Sequence, residues 1–319
     1  MIKPKRVAVL SRSFSRHPTL RAELMQLYPD VTFNDTGRTL EGEEIIAFLK
    51  GHDGAVVALE KVTESLLKAV PELRIIGKYG VGLDNVDLHA ASRLGVKIGW
   101  KGGVNRRSVS ELAIGLMLSL LRLIPQTSKE VRDGIWRQTL GRQLSDRVVG
   151  VVGCGHVGKD LIQLLKPFGC RVLAHDIRDF SEFYAEHGVT SCDLDTLLKE
   201  ADVVTLHLPL TSNTRNLLDE RRLGLMRSDA ILVNTARGGL VDEAVLKKML
   251  IEGKLAGAGF DVFAKEPPTD TELINLPNFI AIPHIGGSAA EAVLAMGRAA
   301  IEGLANATDP LDHIPDWAR

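Results

Sequence analysis

Cysteine is scarce in this 319-residue chain: Cys154, Cys170 and Cys192 are an odd number with no CxxC or Cys/His spacing. That argues against a disulfide framework and a zinc site, and suits a reducing compartment. Charge of one sign is also lacking. A formal net charge of -1 leaves no global basic field of the kind nucleic acid or an anionic membrane attracts, so neither is expected as a partner. Long hydrophobic runs are missing too. The longest apolar stretch, Leu112 to Leu121, is followed by Arg122 and Pro125, short of the roughly 20 apolar residues that span a bilayer. It reads as a buried helix. Met1 to Arg6 leads only into the short run Val7 to Leu10 before polar residues return, which is not a signal peptide; a cytoplasmic protein is expected.

What is present is an ordinary globular composition, 45% hydrophobic and 25% charged, at a length that suits two domains. Short β-branched runs alternate with helical patterns, the order of βαβ units around a parallel sheet. In the first third, Val7–Leu10, Ala55–Leu59, Arg74–Gly77 and Val96–Ile98 read as strands, with helical stretches at 43–50 and 63–69. After Gly102-Gly103, Ser108 and Glu111 have the Ser-x-x-Glu spacing that starts a helix. A second series follows, with strands at 148–152, 171–174, 203–206, 231–233, 256–260 and 279–282, and a last helix from Ser288 to Leu304 that would return to the first domain. No internal repeat is evident.

The second series opens on Gly153-Cys154-Gly155-His156-Val157-Gly158, directly after a strand and directly before a helical stretch. A GxGxxG run alone is weak evidence, but in this setting the glycines allow a tight turn and close approach of backbone to a pyrophosphate at a helix amino end. Asp176, eighteen positions past Gly158, ends the next strand, where a carboxylate accepts from the adenosine ribose hydroxyls. The expected cofactor is therefore NAD. Arg178 is the one group nearby that suits a 2′-phosphate. Short-chain reductase chemistry lacks its acid, because no Tyr-x-x-x-Lys pair occurs.

Chemistry is expected at the carboxyl ends of the later strands. Three loops there carry complementary groups. Arg237, in Asn-Thr-Ala-Arg-Gly-Gly, can fork onto a carboxylate and its neighbouring carbonyl oxygen. Glu266, in Asp-Val-Phe-Ala-Lys-Glu-Pro, and His284, in Pro-His-Ile-Gly-Gly, would pair, the carboxylate fixing the tautomer and favouring the imidazolium that gives or takes the proton in a hydride transfer. Asp261 would hold the nicotinamide carboxamide. Around the cofactor the reading also places His156 and Val157, His207 and Pro209, Thr235 and Ala236, and Gly286 and Gly287. No metal ligands are read.

These motifs, together with Lys78-Tyr79-Gly80-Val81-Gly82-Leu83-Asp84-Asn85, resemble the D-isomer-specific 2-hydroxyacid dehydrogenases over essentially the whole chain, nearest the phosphoglycerate dehydrogenases. The resemblance implies an α/β protein of two doubly wound parallel-sheet domains: a Rossmann NAD-binding domain, residues 103–287, inserted into a flavodoxin-like substrate domain, residues 1–102 and 288–319, with a cleft between. It implies Arg237, Glu266 and His284 as the catalytic trio and the amides of Val81 and Gly82 as substrate contacts. A D-2-hydroxy acid and its 2-keto acid are the implied substrates, with the 3-phosphoglycerate pair among them, and the family is usually homodimeric.

Departures fall where the far end of the substrate is expected. Glu60 and Lys61 stand where phosphoglycerate dehydrogenases tend to carry arginine and serine, and Trp100-Lys101-Gly102-Gly103 replaces a Thr-Pro-Gly pattern. A phosphate clamp is not evident. The rival readings are a phosphite-type dehydrogenase of the same fold and a dinucleotide-sensing corepressor-like protein.

Overall fold

β-branched residues settle into strands whose two faces are both covered, which is why the strands read as apolar runs rather than alternations. The computed structural model describes residues 3–314, and the chain divides into two compact units, Met1–Asn105 with Ala290–Arg319, and Arg106–Ala289. Each carries its own parallel sheet.

The first unit contains β1 (Arg6–Val9), β2 (Asp30–Phe33), β3 (Gly54–Val57), β4 (Ile75–Lys78) and β5 (Lys97–Gly99). Their order is β2-β1-β3-β4-β5, all parallel, the flavodoxin-like doubly wound arrangement. The helix Ala290–Ala305 packs on β4 and β5 of this unit. Glycine makes that possible: a Cβ on Gly77 or Gly99 would collide with the carbonyl oxygens of Ala300 and Gly303.

The second unit holds β6 (Val148–Val152), β7 (Arg171–His175), β8 (Thr190–Ser191), β9 (Val203–Leu206), β10 (Ile231–Asn234), β11 (Gly257–Phe260) and β12 (Phe279–Ala281). The order is β12-β11-β10-β9-β6-β7-β8, again parallel throughout. Chain order reverses between β6 and β9, and ligands of such sheets bind beyond the carboxyl ends of the strands at that point. Two apolar layers sandwich the sheet, one centred on Leu197, Leu232 and Leu246, the other on Met117, Leu161 and Val233.

The helix expected to start at Ser108 starts earlier, at Arg106, and runs to Leu121. Ser108 does not cap it; its hydroxyl donates to the Gly286 carbonyl at 2.6 Å. Among the described residues no single helix is long and apolar enough to cross a membrane, and the helix Arg106–Leu121 buries Val109, Ala113, Leu116, Met117, Leu120 and Leu121 in the core.

Candidate active site

The glycine turn of the second unit is shaped by contacts that admit no side chain. Gly153 has φ +95°, and a Cβ there would lie 2.7 Å from the His207 carbonyl oxygen; one on Gly158 would strike the Gly153 carbonyl. Gly155 is different, because its missing side chain faces open space bounded by the Arg178 guanidinium, 3.6 Å away. The ten-residue helix His156–Leu165 starts immediately after it, so a side-chain-free cradle sits at the positive end of a helix dipole, the setting a pyrophosphate needs. His156 reports the local field: burial, then Arg106, Arg178 and Lys159, all lower its pKa. Val157 sits in the first turn, its carbonyl taking the Ser110 hydroxyl at 3.3 Å.

Asp176 follows β7. Its Oδ2 accepts the Cys154 N–H at 2.7 Å and its Oδ1 accepts the Arg178 N–H at 2.9 Å. The carboxylate is therefore fixed beside the turn, and the Arg178 guanidinium, 3.5 Å from Oδ1 and stacked over Phe180, is drawn to it. Oδ2, with a single donor, keeps a further lone pair for a hydroxyl donor.

At the ends of β9 and β10 lie two polar atoms with no protein partner among the described residues, His207 Nδ1 and Thr235 Oγ1, both buried. Burial pushes the His207 ring down to a pKa of about 3, and its Nε2 meets Thr205 Oγ1 at 2.9 Å. A buried polar group left unpaired costs about 1–3 kcal/mol, so this pair is what a cofactor with donors and acceptors would satisfy. Pro209, two residues on, is exposed and its carbonyl takes the Thr214 hydroxyl at 2.7 Å. The glycine cradle, the fixed Asp176 and these orphaned atoms fit a dinucleotide.

Arg237, Glu266 and His284 come from the loops after β10, β11 and β12, three neighbouring strands. Asn234, buried, sets the first loop: its Oδ1 accepts the Ala236 N–H at 3.1 Å and its Nδ2 donates to the Arg237 carbonyl at 2.9 Å. The Arg237 guanidinium donates to the Ala236 carbonyl at 2.8 Å. Gly238 then presses on the next loop, since a Cβ there would collide with the Phe263 carbonyl group.

In that next loop Glu266 divides its oxygens. Oε1 accepts the Phe263 N–H at 3.0 Å and Oε2 meets His284 Nδ1 at 2.8 Å. Both partners are partly exposed, 39% and 48% of their side chains, so the pair adds little to stability and is open to a ligand. His284 itself has φ +53°, a left-handed conformation uncommon for any residue other than glycine. Asp261, buried at 1% exposure, holds that turn by accepting the Ile285 and Gly286 N–H groups at 2.6 and 2.7 Å. Burial, against the pull of those two amides, raises its pKa. Gly286 is buried and Gly287 half-buried behind it.

In the first unit, Val81 and Gly82 lie in the turn after β4, and Trp100 Nε1 donates to the Val81 carbonyl at 3.1 Å. Trp100 also meets the His313 ring edge-on at 5.5 Å, so it braces this turn. Beneath it, Lys78 is buried and donates to the Ala58 carbonyl at 2.5 Å, while the buried Glu60 accepts the Ala58 N–H at 2.7 Å. Sequence reasoning did not single out Asn234, Thr205 or Glu243, whose Oε1 accepts the Ala264 N–H at 2.7 Å. Asn234 offered only a polar residue at the end of an apolar run, Thr205 a hydroxyl inside one, and Glu243 an ordinary acidic residue in the first turn of a helix.

The sequence model described as "D-isomer specific 2-hydroxyacid dehydrogenase, NAD binding domain" matches residues 114–286. A hydroxypyruvate reductase of Thermotoga maritima is 37% identical over 274 residues, 84% of this chain and 88% of that protein. A D-3-phosphoglycerate dehydrogenase of Methanocaldococcus jannaschii is 36% identical over 287 residues, 89% of this chain but 55% of that longer protein. Among solved structures, a D-lactate dehydrogenase of Aquifex aeolicus in complex with NAD and lactic acid superposes with a TM-score of 0.82 at 26% identity, covering 93% of both chains. Sequence model, relatives and fold agree with the motifs: this chain belongs to the D-isomer specific 2-hydroxyacid dehydrogenases, and its cofactor is NAD.

Proposed function

We propose that the chain interconverts a small D-2-hydroxy acid and its 2-keto acid, and that the acid–base pair is His284 with Glu266. The observation that carries this is the 2.8 Å contact between His284 Nδ1 and Glu266 Oε2, one strand from the Arg237 loop. Because Nδ1 is engaged, Nε2 is the atom left for proton transfer. When bound, NADH would supply the hydride for reduction of the keto carbon, and NAD+ would accept it in the reverse direction. In reduction, imidazolium Nε2 protonates the carbonyl oxygen as it becomes a hydroxyl, and Glu266 stabilises the charged ring. In oxidation the neutral ring takes that proton back. Arg237 would hold the substrate carboxylate and polarise the adjacent oxygen through its forked N–H groups. Val81 and Gly82 are proposed as substrate-binding residues on the family resemblance.

For the substrate we favour an unphosphorylated 2-keto acid of hydroxypyruvate size over phosphohydroxypyruvate. Glu60, buried and tied to Ala58, would set a fixed carboxylate where a phosphate clamp is expected, and the exposed Leu59 beside it offers apolar surface. The test is a panel of 2-keto acids with NADH. The reading expects kcat/KM for hydroxypyruvate or glyoxylate to exceed that for phosphohydroxypyruvate at least tenfold; the opposite ranking removes it, and no turnover of any 2-keto acid removes the function.

A homodimer is part of the same proposal, with a second copy covering the helix Ile124–Arg132 and the segment after it. That helix buries none of its residues, and Ile124, Val131, Ile135, Trp136 and Leu140 are exposed, the last two at 84% and 95%. Apolar side chains clustered this densely mark an interaction surface, and a self-complementary patch closes by two-fold symmetry. Trp136→Glu with Leu140→Glu should then sediment as a monomer where the wild type sediments as a dimer. A monomeric wild type defeats the assignment. The three free thiols suit a reducing compartment, and we place the protein in the cytoplasm.

A further inference from the structure

Two consecutive backbone amides in the loop after β11 are each taken by a carboxylate: Phe263 N–H by Glu266 Oε1 at 3.0 Å, and Ala264 N–H by Glu243 Oε1 at 2.7 Å. Glu266 has a place in the chemistry proposed above. Glu243 has none there, yet it is half-buried, which costs a carboxylate its hydration. Burial raises its pKa, and the charges of Asp270, Asp242 and Glu266 add to that rise against the pull of the Ala264 amide. A carboxylate kept among three others, at the first position of the helix Glu243–Ile251 behind its Asp242 cap, is an unfavourable arrangement that needs a return.

The backbone supplies the reason. Residues 237–243 run from the Arg237 loop into this helix, and Gly238 lies so close to Phe263 that any side chain there would collide with the Phe263 carbonyl group. The two loops therefore touch at Gly238 and are tied at Glu243. One peptide, Phe263–Ala264, is held from one side by the Arg237 loop and the helix start, and it offers its preceding amide to the carboxylate that meets His284.

We propose that Glu243 is a positioning residue of the acid–base pair: by taking the Ala264 N–H it fixes the peptide whose neighbouring amide seats Glu266 against His284, in register with the Arg237 loop. The role rests on the His284–Glu266 reading and acts through geometry. An acceptor oxygen at the end of a side chain of this length is what the seat needs; the charge is incidental to it. Misplacement of a reacting group by about 1 Å is enough to cost on the order of a hundredfold in rate.

The test is a cycle of Glu243 and Glu266 variants in the full chain, read as kcat, KM for a 2-keto acid and NADH Kd by fluorescence. Glu243→Ala should lower kcat about tenfold or more while leaving KM for the 2-keto acid and NADH Kd each within about twofold. Glu243→Gln keeps the acceptor oxygen and should recover most of that loss. In a Glu266→Gln background, Glu243→Ala should add almost nothing. Where Glu243→Ala does not fold, Glu243→Asp withdraws the acceptor by one methylene and should show the same fall in kcat and the same non-additivity. Losses that multiply, or a Glu243→Gln variant as impaired as Glu243→Ala, overturn the proposal and leave the His284–Glu266 reading standing. Unchanged turnover in Glu266→Gln alone removes that reading and this proposal with it.

Discussion

The two ends of the crevice in the second unit are built in opposite ways. At the dinucleotide end, the Asp176 carboxylate is fixed by two backbone amides and the space is carved by absent side chains. At the other, Glu266 and His284 stand partly in solvent, held by a few hydrogen bonds to loops. A dinucleotide of fixed shape can be met by rigid, closed surface, whereas groups that exchange protons with an arriving substrate must remain reachable. The difference predicts that the two ends fail separately when altered.

The largest expected effect is at the open end. His284→Ala should lower kcat for keto-acid reduction by about 10²- to 10⁴-fold while leaving NADH Kd within about threefold; weakened NADH binding of the same size would mean the two ends are not separable. Next comes Arg237→Lys, where a point charge replaces a planar fork. KM should rise about tenfold or more with NADH affinity intact, and a KM within twofold of wild type would take the substrate anchor away from Arg237.

At the closed end the split reverses. Asp176→Ala removes a charged acceptor and frees the Cys154 amide, so NADH Kd should rise about tenfold to a hundredfold with kcat at saturating NADH little changed. NADPH, which the Asp176 carboxylate repels, should lose less. Titration of both nucleotides checks this, and equal loss for both would contradict the ribose assignment. The smallest effect is chemical inertness: burial lifts the thiols of Cys154 and Cys170 to a pKa of about 11. At pH 8 only about one part in a thousand is thiolate, so iodoacetamide should label neither before unfolding, as intact-mass spectrometry would show. Rapid labelling of Cys154 would mean that the glycine turn opens.

The same contrast governs what the sequence discloses. Gly153, Gly155 and Gly158 could be read at once because backbone approach leaves glycine no substitute, and Asp176 followed by counting. Strand ends were visible where apolar runs stop, which brought Arg237, Glu266 and His284 into view. What stayed hidden works through partners that no local pattern announces. Asn234 reads as the last residue of a strand until its amide is seen gripping both sides of the Arg237 loop, and Ser108 carries a helix-start spacing yet spends its hydroxyl on Gly286. Two edge strands were missed for a related reason. Asp30–Phe33 is mostly half-exposed with a charged first residue, and Thr190–Ser191 is two exposed polar residues, so neither has the covered faces that make a strand conspicuous.

The left-handed backbone of His284 bears on how this protein can change. A residue with a Cβ pays about 1–2 kcal/mol to sit at φ +53°, and glycine does not. His284→Gly should therefore melt at a higher temperature than His284→Ala. Since the exposed pair with Glu266 gives little stability back, the glycine variant could even outlast the wild type on heating while turning over nothing. Selection for durability alone would erode this position, so a histidine here persists only while turnover is required of the chain.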